Sequence, residues 1–322
     1  MIKLAVDRYD RHMPLFDGTV DLAKERQIQV LQVGQTGALR DGTDRHERML
    51  QDREFDAAET SLASYLVARS LNLPFTAIPV FPRRLFSQGQ IFVNTEAGIE
   101  EPKDLEGKVV GLQSFQTTLA VLAKGDLATE YGVSLASIQW RVASADTVEV
   151  PNVSSYDISV LPSEVNLPSL LCSGELDALF YSRTPQPPKS ISPNFRRLFP
   201  DAQRQEVQFF ERNGYWPIMH LITIKNEALD LSPDLPLDLQ KIFDASYKLS
   251  LEYFFDPNWT RLASGKFAVE EEKTNFGVDL WRNGVAANKK NLDRFIKYAY
   301  DQGLIEKKFD ITDLFHESVI DT

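Results

Sequence analysis

The chain is poor in the residues that build covalent and metal-bound sites. Its 322 residues include one cysteine, Cys172, and four histidines. A single cysteine excludes an internal disulfide, a CxxC motif and a thiolate zinc site, and its apolar surroundings predict a small core residue. The sequence shows no His/Asp/Glu spacing typical of a metal site, no phosphate-binding glycine loop and no nucleophile elbow. We therefore predict no cofactor, although the sequence leaves a divalent metal open.

Positive charge and long apolar runs are also scarce. With 35 basic and 46 acidic residues the net charge is −11, which argues against nucleic acid and anionic membranes as partners. The first apolar segment, MIKLAV, ends at Asp7 and is too short for a secretory signal. No later run approaches the roughly 20 apolar residues that a membrane span needs. The sequence predicts a cytoplasmic protein, unless a leader has been trimmed, and it leaves a homo-oligomer possible.

The length and the order of elements predict an α/β protein of two lobes. A chain of 322 residues exceeds the usual size of one core. A polar, proline-containing connector at 99–107 and a return strand at 221–225 suggest that lobe I comprises residues 1–95 plus 218–322 and lobe II residues 96–217. Each lobe is expected to be a β-sheet flanked by helices, with the ligand cleft between the lobes. Helices are predicted at 237–255, 276–281 and 288–302.

A strand followed by a hydroxyl residue and a helix occurs twice. The strand predicted at 55–59 leads to Ser61 and Ser64, and the strand predicted at 108–112 leads to Gln116 and Thr117. Free backbone N–H groups and the positive end of the helix dipole favour an anion at such a helix start. A plain N-cap is the alternative explanation for each hydroxyl.

A weak internal echo accompanies this duplication. Residues 49–60 and 170–181 each run from a helix end into a Glu-apolar-Asp-Ala strand. The echo marks equivalent places in two lobes, or it is a generic helix-to-strand junction.

Several charged and aromatic side chains stand where strands end. Arg84 follows a strand beside Pro82, where a guanidinium could bind a carboxylate with two hydrogen bonds, and Arg83 is the weaker candidate. Glu59 ends a buried strand and needs a partner, so it is either a general acid with a raised pKa or the counter-ion of an arginine.

The remaining candidates are a tyrosine and two histidines. Tyr181 closes the strand of the echo, His220 follows Pro-Ile-Met at the edge of the return strand, and His12 lies in the first loop. A histidine on an apolar strand is often structural, so a catalytic role for His220 competes with that explanation. The other two histidines, His46 and His316, lie in charged helical contexts and are predicted to be solvated.

Six segments carry a family resemblance, and the last of them extends it to the C-terminal helix. They are EFDAAETSLASYLVARS, PFTAIPVFPRRLF, DRYDRHMPLFDG, GIEEPKDLEGKVVGLQSFQTTLAV, GYWPIMHLITI and FGVDLWRNGVAANKKNLDRFIKYAYDQGL. Together they resemble the 4,5-dihydroxyphthalate decarboxylases, which are related to type II periplasmic substrate-binding proteins. The resemblance implies that fold and the non-oxidative decarboxylation of a hydroxylated aromatic acid in aromatic compound catabolism. Arg84 and the helix starts would then orient the carboxylates, while Glu59 or His220 supplies the proton.

The chain departs from the family pattern at three places. Gln88 stands where a histidine is usual, Phe115 where tyrosine is favoured, and Asn283 lies where the pattern has Trp-Pro-Tyr-Gly. These departures keep two alternatives open: a non-catalytic substrate-binding protein for a small carboxylate or aromatic ligand, and an enzyme acting on a different acid.

Overall fold

The computed structural model describes residues 1–21, 27–34, 45–150, 153–163, 165–254, 256 and 261–322. These residues form two compact units. Unit 1 consists of Met1–Arg84, Ile218–Leu292 and Phe309–Thr322, and unit 2 consists of Leu85–Pro217 and Asp293–Lys308. The chain therefore passes between the units four times, at 84/85, 217/218, 292/293 and 308/309.

The strands in chain order are β1 (Ile2–Val6), β2 (Ile28–Gln32), β3 (Ala57–Ser61), β4 (Phe75–Arg84), β5 (Ile91–Asn94), β6 (Val109–Leu112), β7 (Gln139–Val142), β8 (Asp157–Val160), β9 (Ala178–Phe180), β10 (Phe195–Arg197) and β11 (Ile218–Lys225). The helices are α1 (Met13–Phe16), α2 (Arg45–Leu50), α3 (Leu62–Ser70), α4 (Thr118–Tyr131), α5 (Leu167–Ser173), α6 (Ala202–Asn213), α7 (Asn226–Leu231), α8 (Leu235–Ser250), α9 (Gly265–Phe276) and α10 (Val285–Asp301). None of the described helices is long and apolar enough to cross a bilayer.

Unit 1 is built on a five-stranded sheet with the order β2-β1-β3-β11-β4. β1 runs parallel to β2 and β3, whereas β11 runs antiparallel to both β3 and β4. β11 is buried along almost its whole length, because it lies between two other strands of the sheet. Aliphatic side chains of the sheet pack with Leu239 and Phe243 of α8 to form the core.

Unit 2 is built on a six-stranded sheet with the order β10-β5-β9-β6-β7-β8. β5 pairs antiparallel with β9 and β10, so residues 91–94 belong to this second sheet. The C-terminal half of α10 also belongs to unit 2, where the Gln302 side chain donates a hydrogen bond to the carbonyl of Val121 in α4. The lobe boundaries predicted from the sequence stay a prediction. Unit 2, besides residues 96–217, also includes residues 85–95 and 293–308.

The internal echo corresponds to one local structure that occurs once in each unit. The Asp56 carboxylate accepts a hydrogen bond from the backbone N–H of Lys3 at 2.8 Å, and the Asp177 carboxylate accepts one from the N–H of Val109, also at 2.8 Å. In both places the aspartate precedes a strand and reaches the start of its parallel neighbour. The two segments are therefore structurally equivalent.

Three expected elements differ from the structure. The helix predicted at 276–281 is wrong, because Gly277 adopts a left-handed conformation (φ 65°) that ends α9 at Phe276, and residues 277–281 are not helical. The long helix predicted at 237–255 is α8, which begins at Leu235 and passes at Leu251 into a 3-10 turn. The strand predicted at 55–59 is β3, which continues to Ser61 because β11 pairs with it as far as that residue.

Candidate functional site

Glu59 lies in the middle of β3, not at its end, and its carboxylate is fully buried. Oε1 accepts a hydrogen bond from the hydroxyl of Tyr9 at 3.0 Å and lies 2.5 Å from Nδ1 of His220. Oε2 accepts the backbone N–H of Asp7 at 3.2 Å and lies 3.1 Å from Nη2 of Arg45. Both carboxylate oxygens are thus satisfied within unit 1.

Arg45, the first residue of α2, is the counter-ion of this carboxylate. Its guanidinium is buried and also donates Nε to the carbonyl of Glu59 at 2.7 Å and Nη1 to the carbonyl of Val33. A second carboxylate, that of Asp7, lies 3.9 Å from Nη1. A buried charge needs such a partner, and here the arginine fixes the position of the glutamate.

His220 is the third residue of β11 and lies between β3 and β4. Its Cα pairs with Ser61 on one side and with Arg83 on the other. Because side chains two apart on a strand share a face, Glu59 and His220 are diagonal neighbours on one face of the sheet. No described residue forms a hydrogen bond to Nε2 of His220, and 10% of the side chain is exposed.

The electrostatics assign the protonation states of this pair. Burial alone would raise the pKa of Glu59, but Arg45 and the hydrogen bond from His220 hold it well below its ordinary value of 4.5. Burial lowers the pKa of His220 below 6.5 and outweighs the opposing effect of Glu59, whose charge Arg45 already compensates. The carboxylate is therefore ionised and accepts Nδ1–H, which leaves the Nε2 lone pair of a neutral imidazole directed away from Glu59.

His46 contradicts the expectation of a solvated histidine. It is buried in α2, where Nδ1 accepts the backbone N–H of Ser61 at 3.1 Å. Its ring lies edge-on to His220, with 4.9 Å between centroids. Burial and the charge of His220 hold its pKa well below 6.5, so the ring is neutral.

His12 lies in the same unit, in a turn after β1. Its Nδ1–H donates to the carbonyl of Asp7 at 2.7 Å, and its ring stacks at 5.9 Å on Tyr247. Burial and the charge of Arg11 lower its pKa from 6.5 to about 4. Nε2 of His12 is buried without a hydrogen-bond partner among the described residues.

The serine and threonine candidates act as helix caps. Ser61 Oγ accepts the N–H of Ser64 at 3.3 Å at the start of α3, and Thr117 Oγ1 accepts the N–H of Ala120 at 3.4 Å at the start of α4. Ser64 itself is buried in the first turn of α3. The capping geometry is the alternative considered from sequence, and a ligand-binding role for these residues stays a prediction.

Gln116 and Tyr181 belong to unit 2. The Gln116 amide donates to the carbonyl of Val148 at 2.7 Å and accepts the N–H of Val148 at 3.2 Å, so its polar atoms hold the loop that follows β7. Tyr181 follows β9 and is half-buried, and its N–H donates to the carbonyl of Gln90 at 2.9 Å. A ligand-binding role for Gln116 and Tyr181 stays a prediction.

Arg84 is buried at the end of β4, on the other side of the strand from Arg83. Its Nη2 donates to the carbonyl of Arg282 at 2.8 Å and to Oδ1 of Asn288 at 2.7 Å. Burial lowers the pKa of this guanidinium to about 10. Nη2 of Arg84 therefore contacts unit 1 itself, and the predicted binding of a carboxylate by Arg84 stays a prediction.

The three departures from the family pattern lie at packed positions. Gln88 is buried, and Phe115 packs edge-on against Trp140. Asn283 accepts the N–H of Phe81 at 3.1 Å and donates to Asp244 at 2.9 Å. Within the described residues, no group of three or more His, Cys, Asp and Glu side chains is arranged to hold a metal ion.

Sequence reasoning did not find the roles of Tyr9, Arg45 and His46. Each is polar and sits in a loop or short helix whose contact with β3 depends on the tertiary fold. One signal was available, because a glutamate inside an apolar strand requires a buried cation, and Arg45 follows the strand β2 at the start of the next described element.

Comparisons with known proteins place the chain in a family. No protein-family model matches it. The 4,5-dihydroxyphthalate decarboxylase of Comamonas testosteroni is 30% identical over 332 aligned residues, which cover 100% of this chain and 98% of the relative. The 4,5-dihydroxyphthalate decarboxylase of Pseudomonas putida is 28% identical over 221 residues, covering 66% of this chain and 83% of the relative.

Solved structures identify the fold. The aliphatic sulphonate binding protein SsuA from Escherichia coli matches with a TM-score of 0.54 and 12% identity, covering 98% of this chain and 92% of that one. The desulfurization enzyme DSZB matches with a TM-score of 0.52 and 13% identity, covering 98% and 96%. The predicted two-lobed α/β fold, similar to that of type II periplasmic binding proteins, is thereby confirmed. Together with the full-length match to the Comamonas testosteroni protein, these results show that the chain belongs to the 4,5-dihydroxyphthalate decarboxylase family.

Proposed function

We propose that the protein is a non-oxidative decarboxylase of a hydroxylated aromatic dicarboxylic acid such as 4,5-dihydroxyphthalate, and that His220 is the proton donor. The observation that carries this proposal is the pair of buried contacts that join Arg45 to Glu59 and Glu59 to His220. Arg45 keeps Glu59 ionised, and Glu59 binds Nδ1–H of His220 at 2.5 Å. The opposite ring nitrogen, Nε2, is then held in a defined orientation for transfer of a proton.

Loss of CO2 from an aromatic acid requires a proton at the carbon that bears the carboxylate. In the proposed step Nε2–H of the imidazolium transfers its proton to that ring carbon, and the hydroxyl groups of the ring donate electron density to the cationic intermediate. The bond between the ring and the carboxylate then breaks, its electron pair returns to the ring, and CO2 leaves. Solvent returns the proton to His220.

Glu59 serves as a positioning residue in this scheme and not as the acid. Its pKa is held well below 4.5 by Arg45 and His220, against the effect of burial, so it carries no proton to donate near neutral pH. An ionised carboxylate next to Nδ1 also stabilises the imidazolium form of His220. Tyr9 donates a third interaction to the same carboxylate and restricts its movement.

The test is incubation of the purified protein with 4,5-dihydroxyphthalate in D2O. We expect 3,4-dihydroxybenzoate and CO2, with one deuterium at the vacated ring carbon. His220→Gln should lose at least about a hundredfold in kcat, in line with loss of a general acid, whereas His316→Gln, which alters a histidine on a terminal 3-10 turn, serves as the matched control. Ligand binding without product would favour the non-catalytic substrate-binding protein instead.

A further inference from the structure

Among the described residues, Arg83 is a cation beside His220 for which the structure shows no protein partner. Arg45 and Arg84 are both buried and donate to carboxylate, amide or carbonyl oxygens of unit 1. Arg83 is half-buried, and in the described parts of the chain it forms no hydrogen bond or ion pair. The N–H donors of this guanidinium, five in all, are therefore not used by any described residue and can bind an anion from solution.

The strand register places Arg83 directly beside His220. The Cα atoms of the two residues pair across β4 and β11, and the register is irregular on both sides of His220. Residues that pair directly across an antiparallel ladder point to the same face with Cβ atoms about 4.5–5.5 Å apart. Arg83 therefore shares a sheet face with His220.

The backbone that carries Arg83 is held in place by its neighbours. Nε of Arg11 donates to the carbonyl of Pro82 at 2.8 Å, and the Arg11 guanidinium lies between the rings of Tyr9 at 4.2 Å and Trp281 at 3.8 Å. Because Pro82 immediately precedes Arg83, these contacts fix the backbone from which the Arg83 side chain extends. Such pre-organisation favours a binding role.

The charge of Arg83 already acts on His220. It lowers the pKa of His220 and of His46, after the larger effect of burial. The other charged and titratable groups that act on His220 are Glu59 from β3 and Arg45 and His46 from α2, while Asp7, Tyr9 and His12 from the segment after β1 surround the Glu59 carboxylate. Glu59 and Arg45 compensate each other, so within the described residues around His220 Arg83 is the charge that has no counter-ion.

We propose that Arg83 binds a carboxylate of the aromatic substrate beside Nε2 of His220, and that this binding supplies His220 with its proton. The inference rests on the proposed function and deepens it. Before binding, the neutral imidazole cannot act as an acid. The incoming carboxylate neutralises Arg83 and places a negative charge near Nε2, and both effects favour the imidazolium. The enzyme thus acquires its acid when an anionic substrate arrives, and the proton taken from solvent is the one later transferred to the ring carbon.

The test measures proton uptake together with affinity. Calorimetric titration of the full chain with phthalate, which lacks the ring hydroxyls, is carried out at pH 7.5 in two buffers of different ionisation enthalpy. The wild type should take up close to one proton per phthalate bound. Arg83→Met should bind phthalate at least tenfold more weakly and without proton uptake, and Arg83→Lys should recover part of both. His220→Gln should retain binding but lose the uptake.

Two controls separate this inference from loss of folding. Arg53→Met removes another partly exposed arginine of unit 1, which pairs with Glu227, and should leave affinity and uptake unchanged. Catechol, which has no carboxylate, should bind Arg83→Met as it binds the wild type. Thermal unfolding of Arg83→Met should match that of the wild type.

The outcomes also separate the inference from the proposed function. Suppose that the wild type decarboxylates 4,5-dihydroxyphthalate, and that Arg83→Met has the same KM and the same proton uptake as the wild type. This result would overturn the role of Arg83 but not the decarboxylase function. Arg83-dependent uptake without any turnover of 4,5-dihydroxyphthalate would support the binding role and overturn the decarboxylase function. Absence of both phthalate binding and turnover in the wild type would overturn both.

Discussion

Nδ1 of His220 lies 2.5 Å from Oε1 of Glu59, and the two residues come from antiparallel neighbouring strands separated by 161 positions in sequence. The contact joins a buried carboxylate that is already paired with Arg45 to an imidazole that is 10% exposed. This pairing defines the candidate site and leads to the first prediction.

Glu59→Gln should destabilise the protein strongly. The substitution leaves Arg45 buried without its counter-ion, and breaking a buried pair in this way costs about 3–5 kcal/mol of the free energy of unfolding. Urea unfolding monitored by circular dichroism measures the change. Glu54→Gln, which removes an exposed partner of Arg48, is the matched control and should cost at most about 1 kcal/mol. Similar losses in the two variants would contradict the assigned pairing.

Stability should fall as the pH is lowered from about 6.5 toward 4. The pKa of His12 is about 4 in the folded protein because of burial, whereas the unfolded residue has the ordinary value of 6.5. Below pH 6.5 the unfolded chain therefore binds a proton that the folded protein does not, and each such histidine contributes up to about 1.4 kcal/mol per pH unit. His12→Asn keeps a donor for the Asp7 carbonyl and should reduce this slope between pH 4.5 and 6. Parallel stability curves for the two proteins would show that His12 is protonated equally in both states.

Arg84→Met should affect folding and not ligand binding. It removes the donor to the Arg282 carbonyl and to Asn288 and should cost about 1–3 kcal/mol. Arg282→Met is the matched control, since its carbonyl accepts from Arg84 while its side chain is exposed. Folded Arg84→Met should bind phthalate as the wild type does. A large loss of affinity with little loss of stability would instead support the ligand-binding role that the sequence suggested for Arg84.

Lys124→Met should alter the pH dependence of unit 2 stability. Lys124 is fully buried in α4, donates to the carbonyl of Phe115 at 3.0 Å, and burial holds its pKa well below 10.5. On unfolding below pH 10.5 the wild-type amine takes up a proton, so the wild type loses stability as the pH falls, by about 1.4 kcal/mol per unit. As the pH is lowered from 10 to 8, the free energy of unfolding of the variant should therefore rise relative to that of the wild type, as measured by urea unfolding. A constant difference over this range would contradict a neutral buried lysine.

The fold could be predicted because its signals are local and repeated. Strand, cap and helix follow one another twice in the sequence, with Ser61 and Thr117 as the caps. The Asp56 and Asp177 motifs also appear at corresponding sequence positions. Where the prediction was wrong, as at 276–281, a single left-handed glycine ended a helix that the flanking residues would have allowed to continue.

The candidate site could be predicted only in part. Glu59 and His220 could be recognised from the sequence because a polar side chain in an apolar strand requires a hydrogen-bond partner or a counter-ion. Their mutual contact, however, depends on β11 pairing between β3 and β4, which no local pattern specifies. For the same reason Arg84 seemed the better ligand for a carboxylate: the sequence shows two adjacent arginines, and only the register decides which of them faces His220.

The position of β11 in the sheet of unit 1 has a consequence for biosynthesis. β1, β3 and β4, with Glu59 and Arg45, are translated before residue 85, but the strand that lies between β3 and β4 is translated only after Pro217. During translation the first segment therefore carries an incomplete sheet, in which β3 and β4 each have an unpaired edge and the Arg45–Glu59 pair lacks His220. His220 is therefore synthesised after its partners Glu59 and Arg45, and a nascent chain interrupted before residue 218 holds the counter-ion pair without the histidine that contacts it.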